Sequence, residues 1–285
     1  MKVSVIIPTY YREHDLSELL DSLLQQSIKP LEVIVVDDTP TFIIKSACEK
    51  YEKKFANLGI SLIYIKNPKQ RSAAIARNVG AKKADGDILM FFDSDIILYP
   101  DYIEKIVDVF QKYSNALGVQ GWIANATKPD INPLIKCLEI IFGIHQYLVK
   151  DQCKFKQYPI ILTRVINCEW LSGSNMSLKR EVLENFQFDE NLKKYSYMED
   201  KLFSFSIYRS YPNSLYMTPY AKCIHKGSEV GRMESRELKK HKNFCRKYVL
   251  TKLYGLKGLF IYYRQNLGHL IIGLIGKLLS FARKK

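Results

Sequence analysis

The feature that most constrains this sequence is a series of short apolar runs, each lacking a polar face and the first three stopped by a proline or an acidic pair. Val3-Ser4-Val5-Ile6-Ile7 is rich in β-branched side chains and closes at Pro8, the pattern of a strand covered on both faces within a parallel sheet. Such a run does not suit an edge hairpin. Val33-Ile34-Val35-Val36 repeats the pattern and ends in Asp37-Asp38, and Ile88 to Phe92 repeats it again and ends in Asp93-Ser94-Asp95. Between the first two runs, Leu16, Leu19, Leu20, Leu23 and Leu24 recur at helical spacing, with Asp15 as a candidate N-cap. Helices expected over about 41–56, 71–84 and 101–113, with strands at Ile60–Ile65 and Gly118–Ile123, continue the alternation. Alternation of this kind predicts an α/β fold with a doubly wound sheet.

The remaining length refines that picture. At 285 residues, 47% hydrophobic and 25% charged, the chain can bury a conventional core and is neither disordered nor fibrous. From Asn125 to Asn185 the pattern loosens: Asn132-Pro133 opens a helical stretch through Leu134, Ile135, Leu138, Ile141, Phe142 and Leu148, and Leu171 to Ser177 reads as a loop entering a short strand. The charge is lopsided. Residues 222–285 hold 16 Lys/Arg against 3 Asp/Glu, whereas residues 1–221 are close to neutral. The six cysteines (Cys48, Cys137, Cys153, Cys168, Cys223 and Cys245) show no metal-ligand spacing and read as reduced thiols. No charged-then-apolar leader precedes residue 3, so the body is expected in the cytoplasm.

In open α/β sheets ligands bind outside the carboxyl ends of the strands. Asp37, Asp38, Asp93 and Asp95 all fall there. Because side-chain direction repeats every two residues along an extended chain, Asp93 and Asp95 project to one side and can share a hard divalent cation. Mg²⁺ often keeps substrate phosphates in its shell, which suits a nucleoside diphosphate. On its own, Asp-x-Asp also fits a solvated turn.

Several further motifs decide between these readings. Val3 to Tyr10, Val35-Val36-Asp37-Asp38-Thr39, Ala76-Arg77-Asn78-Val79-Gly80, Gly86 to Asp95, Gly173-Ser174-Asn175-Met176 and Glu199-Asp200, in this order and spacing over about residues 1–230, resemble glycosyltransferase family 2. The resemblance implies the GT-A fold, a Rossmann-like, doubly wound mixed sheet, and inverting transfer from a UDP-, GDP- or dTDP-linked sugar with Mg²⁺ or Mn²⁺. The resemblance and the charge pattern together divide the chain into a domain at 1–230, with a nucleotide-sugar half at 1–125 and an acceptor half at 126–230, and a basic helical tail at 231–285. It places Pro8, Thr9 and Tyr10 beside the nucleotide base, with Asp38 and Asp37 on base or ribose. Asp93 falls to ribose or metal and Asp95 to the metal. Arg71 and Arg77, on the helix before the Asp-x-Asp strand, are candidates for the diphosphate; the alternative is a surface arginine paired with Asp85 or Asp87.

Inversion needs a base that takes the acceptor hydroxyl's proton as that oxygen attacks. The resemblance gives this role to Asp200, supported by Glu199; an acidic helix N-terminus would explain the pair equally well by itself. His225 is either a further metal ligand or a structural histidine. Gly173, Ser174 and Asn175 match the family's acceptor-side loop, where small residues allow close approach. No Gln-x-x-Arg-Trp follows Asp200, since the only tryptophans are Trp122 and Trp170; processive members carry that motif, so single addition is expected. A sugar nucleotidyltransferase would normally bring a glycine-rich phosphate loop, and residues 8–15 hold no glycine. A catalytically inert nucleotide-sugar-binding protein is the other alternative.

After Glu237 there are 12 Lys/Arg and no acidic residue. Leu267, Leu270, Ile271, Leu274, Leu278 and Phe281 form one helical stripe, so an anionic membrane surface is the expected partner and nucleic acid is not. The twelve uncharged residues between Arg264 and Lys277 are about 18 Å of helix, short of a bilayer core of roughly 30 Å. Lying on the membrane is therefore favoured over spanning it, with soluble packing as a further alternative. The expected acceptor is a glycan or a polyprenyl-linked one, and the expected location is peripheral, at the inner face of the cell membrane.

Overall fold

A computed structural model describes residues 1–68, 71–126, 132–144 and 162–282. A 9-stranded mixed sheet runs through them, with strand order β3-β2-β1-β4-β8-β6-β9-β5 and β7 (Ile166–Asn167) paired to β9. Strands β1 (Val3–Thr9), β2 (Glu32–Asp37), β3 (Ser61–Lys66) and β4 (Ile88–Phe92) are parallel. The antiparallel strand β8 (Asn175–Lys179) lies between β4 and β6 (Gly118–Ile123), while β9 (Leu215–His225) pairs with β6 in parallel and with β5 (Ile96–Leu98) in antiparallel fashion.

Alternate residues of each central strand supply opposite cores. Val3, Val5, Ile7, Val33, Val35, Met90 and Phe92 pack with helices α1 (Glu13–Leu24), α2 (Ile43–Ala56) and α4 (Tyr102–Lys112). Ile6, Ile34, Val36, Leu89 and Phe91 pack on the other face with α3 (Ala73–Lys83), α6 (Arg180–Asn185) and α7 (Glu199–Ser210). The runs are apolar throughout because both faces are covered, as the doubly wound reading requires. Strand β3 is the exception: at the sheet edge, its residues are exposed or half-buried.

Four sequence expectations change. Pro8 does not stop β1, which continues to Thr9 with Pro8 in register with Val36. Pairing with β4 ends at Ile6, so the N–H that Pro8 lacks is not needed on that side. Asp15 is not the N-cap of α1; Arg12 holds that position, and Asp15 sits in the first turn with its carboxylate on Lys226 at 2.6 Å. Arg71 lies before α3, whose N-cap is Ser72. The helix opened by Pro133, α5, ends at Phe142 where Gly143 takes a left-handed conformation, and Leu148 lies outside the described residues. The five described cysteines are free thiols, and Cys153 lies outside.

Helix α8 (Ser235–Tyr254) docks through Cys245, Val249 and Leu253 onto Leu192, Met198 and Leu202, so the first half of the basic segment is packed against the sheet domain's α7. After Gly255, α9 (Leu256–Ala282) packs on α8 and α5. No helix among the described residues is long and apolar enough to cross a membrane.

Candidate active site

The carboxyl ends of β1, β2 and β4 share one edge of the sheet, and the acidic pairs arrive there because each strand runs out of apolar residues at that edge. Asp37 is fully buried, accepting from Thr39 N at 2.7 Å and Tyr64 Oη at 2.8 Å. It braces the turn that brings Thr39 Oγ1 to Tyr11 N at 2.8 Å, where Tyr11 has φ +58°. Asp38 accepts from Asn67 Nδ2 at 2.5 Å and Ser72 N at 3.3 Å. Burial pushes its pKa up to about 6, against the lowering effect of Asn67, Ser72 and Arg71. Beside it, the Arg71 guanidinium lies 3.4 Å from the Tyr10 ring centroid and donates to Gly231 O. Thr9 Oγ1 is buried with no hydrogen-bond partner among the described residues.

Asp93, Asp95 and His225 bring one ligand atom each within 4.8 Å of the others. His225 reaches this point because β9 pairs antiparallel to β5, putting His225 opposite Ile96. The Asp95 carboxylate is 1% exposed; one oxygen takes the Ser228 N–H at 2.9 Å and His225 Nε2 at 3.5 Å, and the other meets Arg12 Nη1 at 2.9 Å. Burial alone would raise the Asp95 pKa, but His225, Arg12 and the Ser228 N–H hold it below the ordinary carboxylate value. The Asp95 hydrogen bond in turn raises the His225 pKa. Two carboxylates and an imidazole converging on one point, one Asp95 oxygen facing the Arg12 guanidinium, are a donor set that fits a divalent cation. Arg12 also donates to Ser228 O and Val230 O, fastening the loop after β9 over the strand ends.

Arg77 joins this group to the Glu-Asp pair. Its buried guanidinium donates to Glu199 Oε1, to Asp93 Oδ1 at 2.8 Å and to Gly173 O at 3.0 Å. Gly173 N in turn donates to Asp200 Oδ2 at 2.9 Å, and Lys201 N donates to Asp200 Oδ1 at 2.8 Å. Gly173 allows this closeness, since a Cβ there would stand a tight 3.1 Å from both Arg77 Nη2 and Asp200 Cβ. Burial pushes the Glu199 pKa up to about 8, with Arg77 opposing and the carboxylates of Asp200 and Asp93 adding to the rise.

The edge therefore brings together Thr9, Tyr10, Asp38, Arg71, Asp93, Asp95, His225, Gly173, Glu199 and Asp200. Three of the expected site residues hold protein groups in this structure. Arg77 faces inward onto Glu199, Asp93 and Gly173. Asn175 is fully buried in β8, donating to Gly121 O and Cys223 Sγ, where it braces the sheet. Asp37, likewise, turns its carboxylate into the fold. Sequence reasoning missed Arg12. Its signal was position, two residues after Tyr10.

The sequence model described as glycosyl transferase family 2 matches residues 4–186, more than half of the chain. The chain belongs to glycosyltransferase family 2. Among its relatives, the glucosyl-dolichyl phosphate glucuronosyltransferase of Haloferax volcanii is 29% identical over 204 residues, 67% of this chain and 57% of that protein. The teichuronic acid biosynthesis glycosyltransferase TuaG of Bacillus subtilis, a putative assignment by its own name, is 29% identical over 188 residues, 60% of this chain and 71% of that protein. The chain thus spans just over half the length of its Haloferax relative. Among solved structures, a mannosyltransferase from Pyrobaculum calidifontis in complex with GDP-Man and Mn²⁺ superposes with a TM-score of 0.61 at 18% identity, covering 95% of this chain and 70% of that one. Staphylococcus aureus TarS 1–349 with UDP-GlcNAc gives 0.57 at 19%, covering 94% and 72%. The fold of this family 2 member is GT-A.

Proposed function

We propose that this family 2 member transfers a single sugar from a UDP-, GDP- or dTDP-linked donor to a glycan or lipid-linked acceptor, with inversion at the anomeric carbon. The observation that carries the reading is the continuous contact chain from Asp95 and Asp93 through Arg77 and Gly173 to Asp200. It links a group able to hold a cation to the Asp200 carboxylate along one rim. In this reading Pro8, Thr9, Tyr10 and Asp38 hold the nucleoside, with Arg71 beside the diphosphate. Asp93, Asp95 and His225 would hold Mg²⁺ or Mn²⁺. Such a cation supplies charge neutralisation for a leaving diphosphate. Asp200 takes the acceptor hydroxyl's proton while that oxygen attacks from the face opposite the diphosphate. Glu199 is tied to Arg77 and cannot turn outward without breaking a buried pair; Asp200 accepts two backbone N–H groups, which aim its carboxylate and leave lone pairs for the acceptor. The acceptor is membrane-linked, and the chain works at the inner face of the membrane with its basic tail on anionic lipid. The name of the Haloferax relative, with its dolichyl phosphate, supports that acceptor class.

Asp200→Asn tests the reading. It keeps the shape and the Gly173 contact but removes the basic oxygen, so transfer falls by about a thousandfold while donor binding, measured by calorimetry with Mn²⁺ across a panel of nucleotide sugars, stays the same. Unchanged turnover removes Asp200 from the reaction.

A further inference from the structure

Helix α9 carries large apolar side chains on its outward face as well as on the face it packs. Its inward face carries Gly258, Gln265 and Gly268: Gly258 lies against the backbone of Leu250 and Gly268 against the Phe142 ring, while the fully buried Gln265 donates to Gly143 O at 2.8 Å. Its outward face carries Leu256, Phe260, Tyr263, Leu267, Leu270 and Leu274, each between 52% and 87% exposed. Steps of four and three residues place all six within a strip about 80° wide and about 27 Å long. A helix shaped for water turns its leucines inward and its glutamine outward. An apolar strip of this size marks an interaction site.

We propose that this outward strip is a lipid-docking surface, by which α9 lies in the plane of an anionic bilayer. The inference rests on the membrane-side placement proposed above and names the surface responsible. Charge decides the occupant. Lys257 and Arg264 are exposed on α9, and Lys247 of α8 stands 5.9 Å from the Tyr263 ring within the strip. No acidic residue follows Glu237 in the sequence to offset them. A second copy packed strip to strip would bring these cations together, whereas phosphate headgroups neutralise them. In-plane docking follows from the opposite face, which is packed on α8 and α5, and from the lack of any described helix apolar enough to cross.

The test is sedimentation of the full chain with vesicles of phosphatidylcholine alone or with about a third phosphatidylglycerol, comparing wild type with Leu267→Glu/Leu270→Glu/Leu274→Glu. These side chains are exposed and Glu is a good helix former, so the variant keeps the wild-type Tm and donor affinity. Wild type binds the anionic vesicles, and the variant binds them about tenfold or more weakly. Equal binding by the variant overturns the strip and leaves the membrane placement standing. No vesicle binding by wild type overturns both. A wild-type dimer in light scattering that the variant dissolves, with no vesicle binding, assigns the strip to a contact between copies and overturns the proposal.

Discussion

Arg77 is one guanidinium among three carboxylates: Glu199 and Asp93 in contact and Asp200 one backbone group away. One positive charge cannot neutralise three negative ones in a buried setting, so Glu199 keeps its proton up to about 8. A consequence for stability follows from linkage. Groups whose pKa is raised on folding stabilise the fold below their unfolded pKa, and that contribution is lost as pH rises through the folded value. Glu199, raised from 4.5 to about 8, Asp38, raised from 3.8 to about 6, and His225, raised from 6.5, all act in this direction. Calorimetry of the metal-free protein is therefore expected to show Tm falling from about pH 5 to pH 8, and Glu199→Gln to flatten most of that slope, a change on the order of a few kcal/mol. A slope unchanged in Glu199→Gln would place the proton elsewhere. The motif spacing made Asp93, Asp95, Glu199 and Asp200 legible in the sequence. The inward turn of Arg77 was not, because its partners come from β4 and α7, well separated from it along the chain.

At the scale of elements, the site depends on how closely α3 lies against the sheet, since α3 carries Arg77. Gly80 sets that distance: a Cβ there would press on Ile6 Cγ2 in β1 and stand 3.3 Å from Val36 Cγ2 in β2. Both neighbours are fully buried and β-branched, so they have little room to yield. Gly80→Ala is expected to cost about 1–3 kcal/mol by overpacking, partly offset by the better helix propensity of Ala. Urea denaturation checks this, and a stabilised variant would mean that α3 is free to move outward. Strands β1, β2 and β4 were legible because burial on two faces leaves a one-dimensional mark, a run with no polar residues. The insertion of β8 between β4 and β6 leaves no such mark, since antiparallel pairing depends on a register between segments some 85 residues apart. The N-terminus of α1 was misplaced for a related reason: Asp15 reads locally as a cap, but its carboxylate goes to Lys226, more than 200 residues away.

Across the whole molecule, charge is separated along the chain and then partly regathered by folding. Residues 1–221 carry a net charge near +1 and residues 222–285 about +13. Folding returns some of the excess to the body, with Lys226 on Asp15 and Glu18 and Lys252 on Asp189, and leaves further cations such as Lys247, Lys257 and Arg264 along α8 and α9. The remaining positive field lies on helices that also expose the apolar strip, so the two contributions to lipid binding are separable by salt. Electrostatic attraction to an anionic surface fades as the screening length shortens from about 10 Å at 0.1 M to about 3 Å at 1 M, whereas burial of Leu267, Leu270 and Leu274 does not weaken with ionic strength. Binding to phosphatidylglycerol vesicles is accordingly expected to fall by about a hundredfold between low and high salt and then level off, Lys247, Lys257 and Arg264 each contributing about 1 kcal/mol at low salt. In the Leu→Glu variant the plateau is lost, and the three added negative charges also weaken the salt-sensitive part. Binding that fell without limit in the wild type would assign the attachment to charge alone, with the leucines of α9 taking no part.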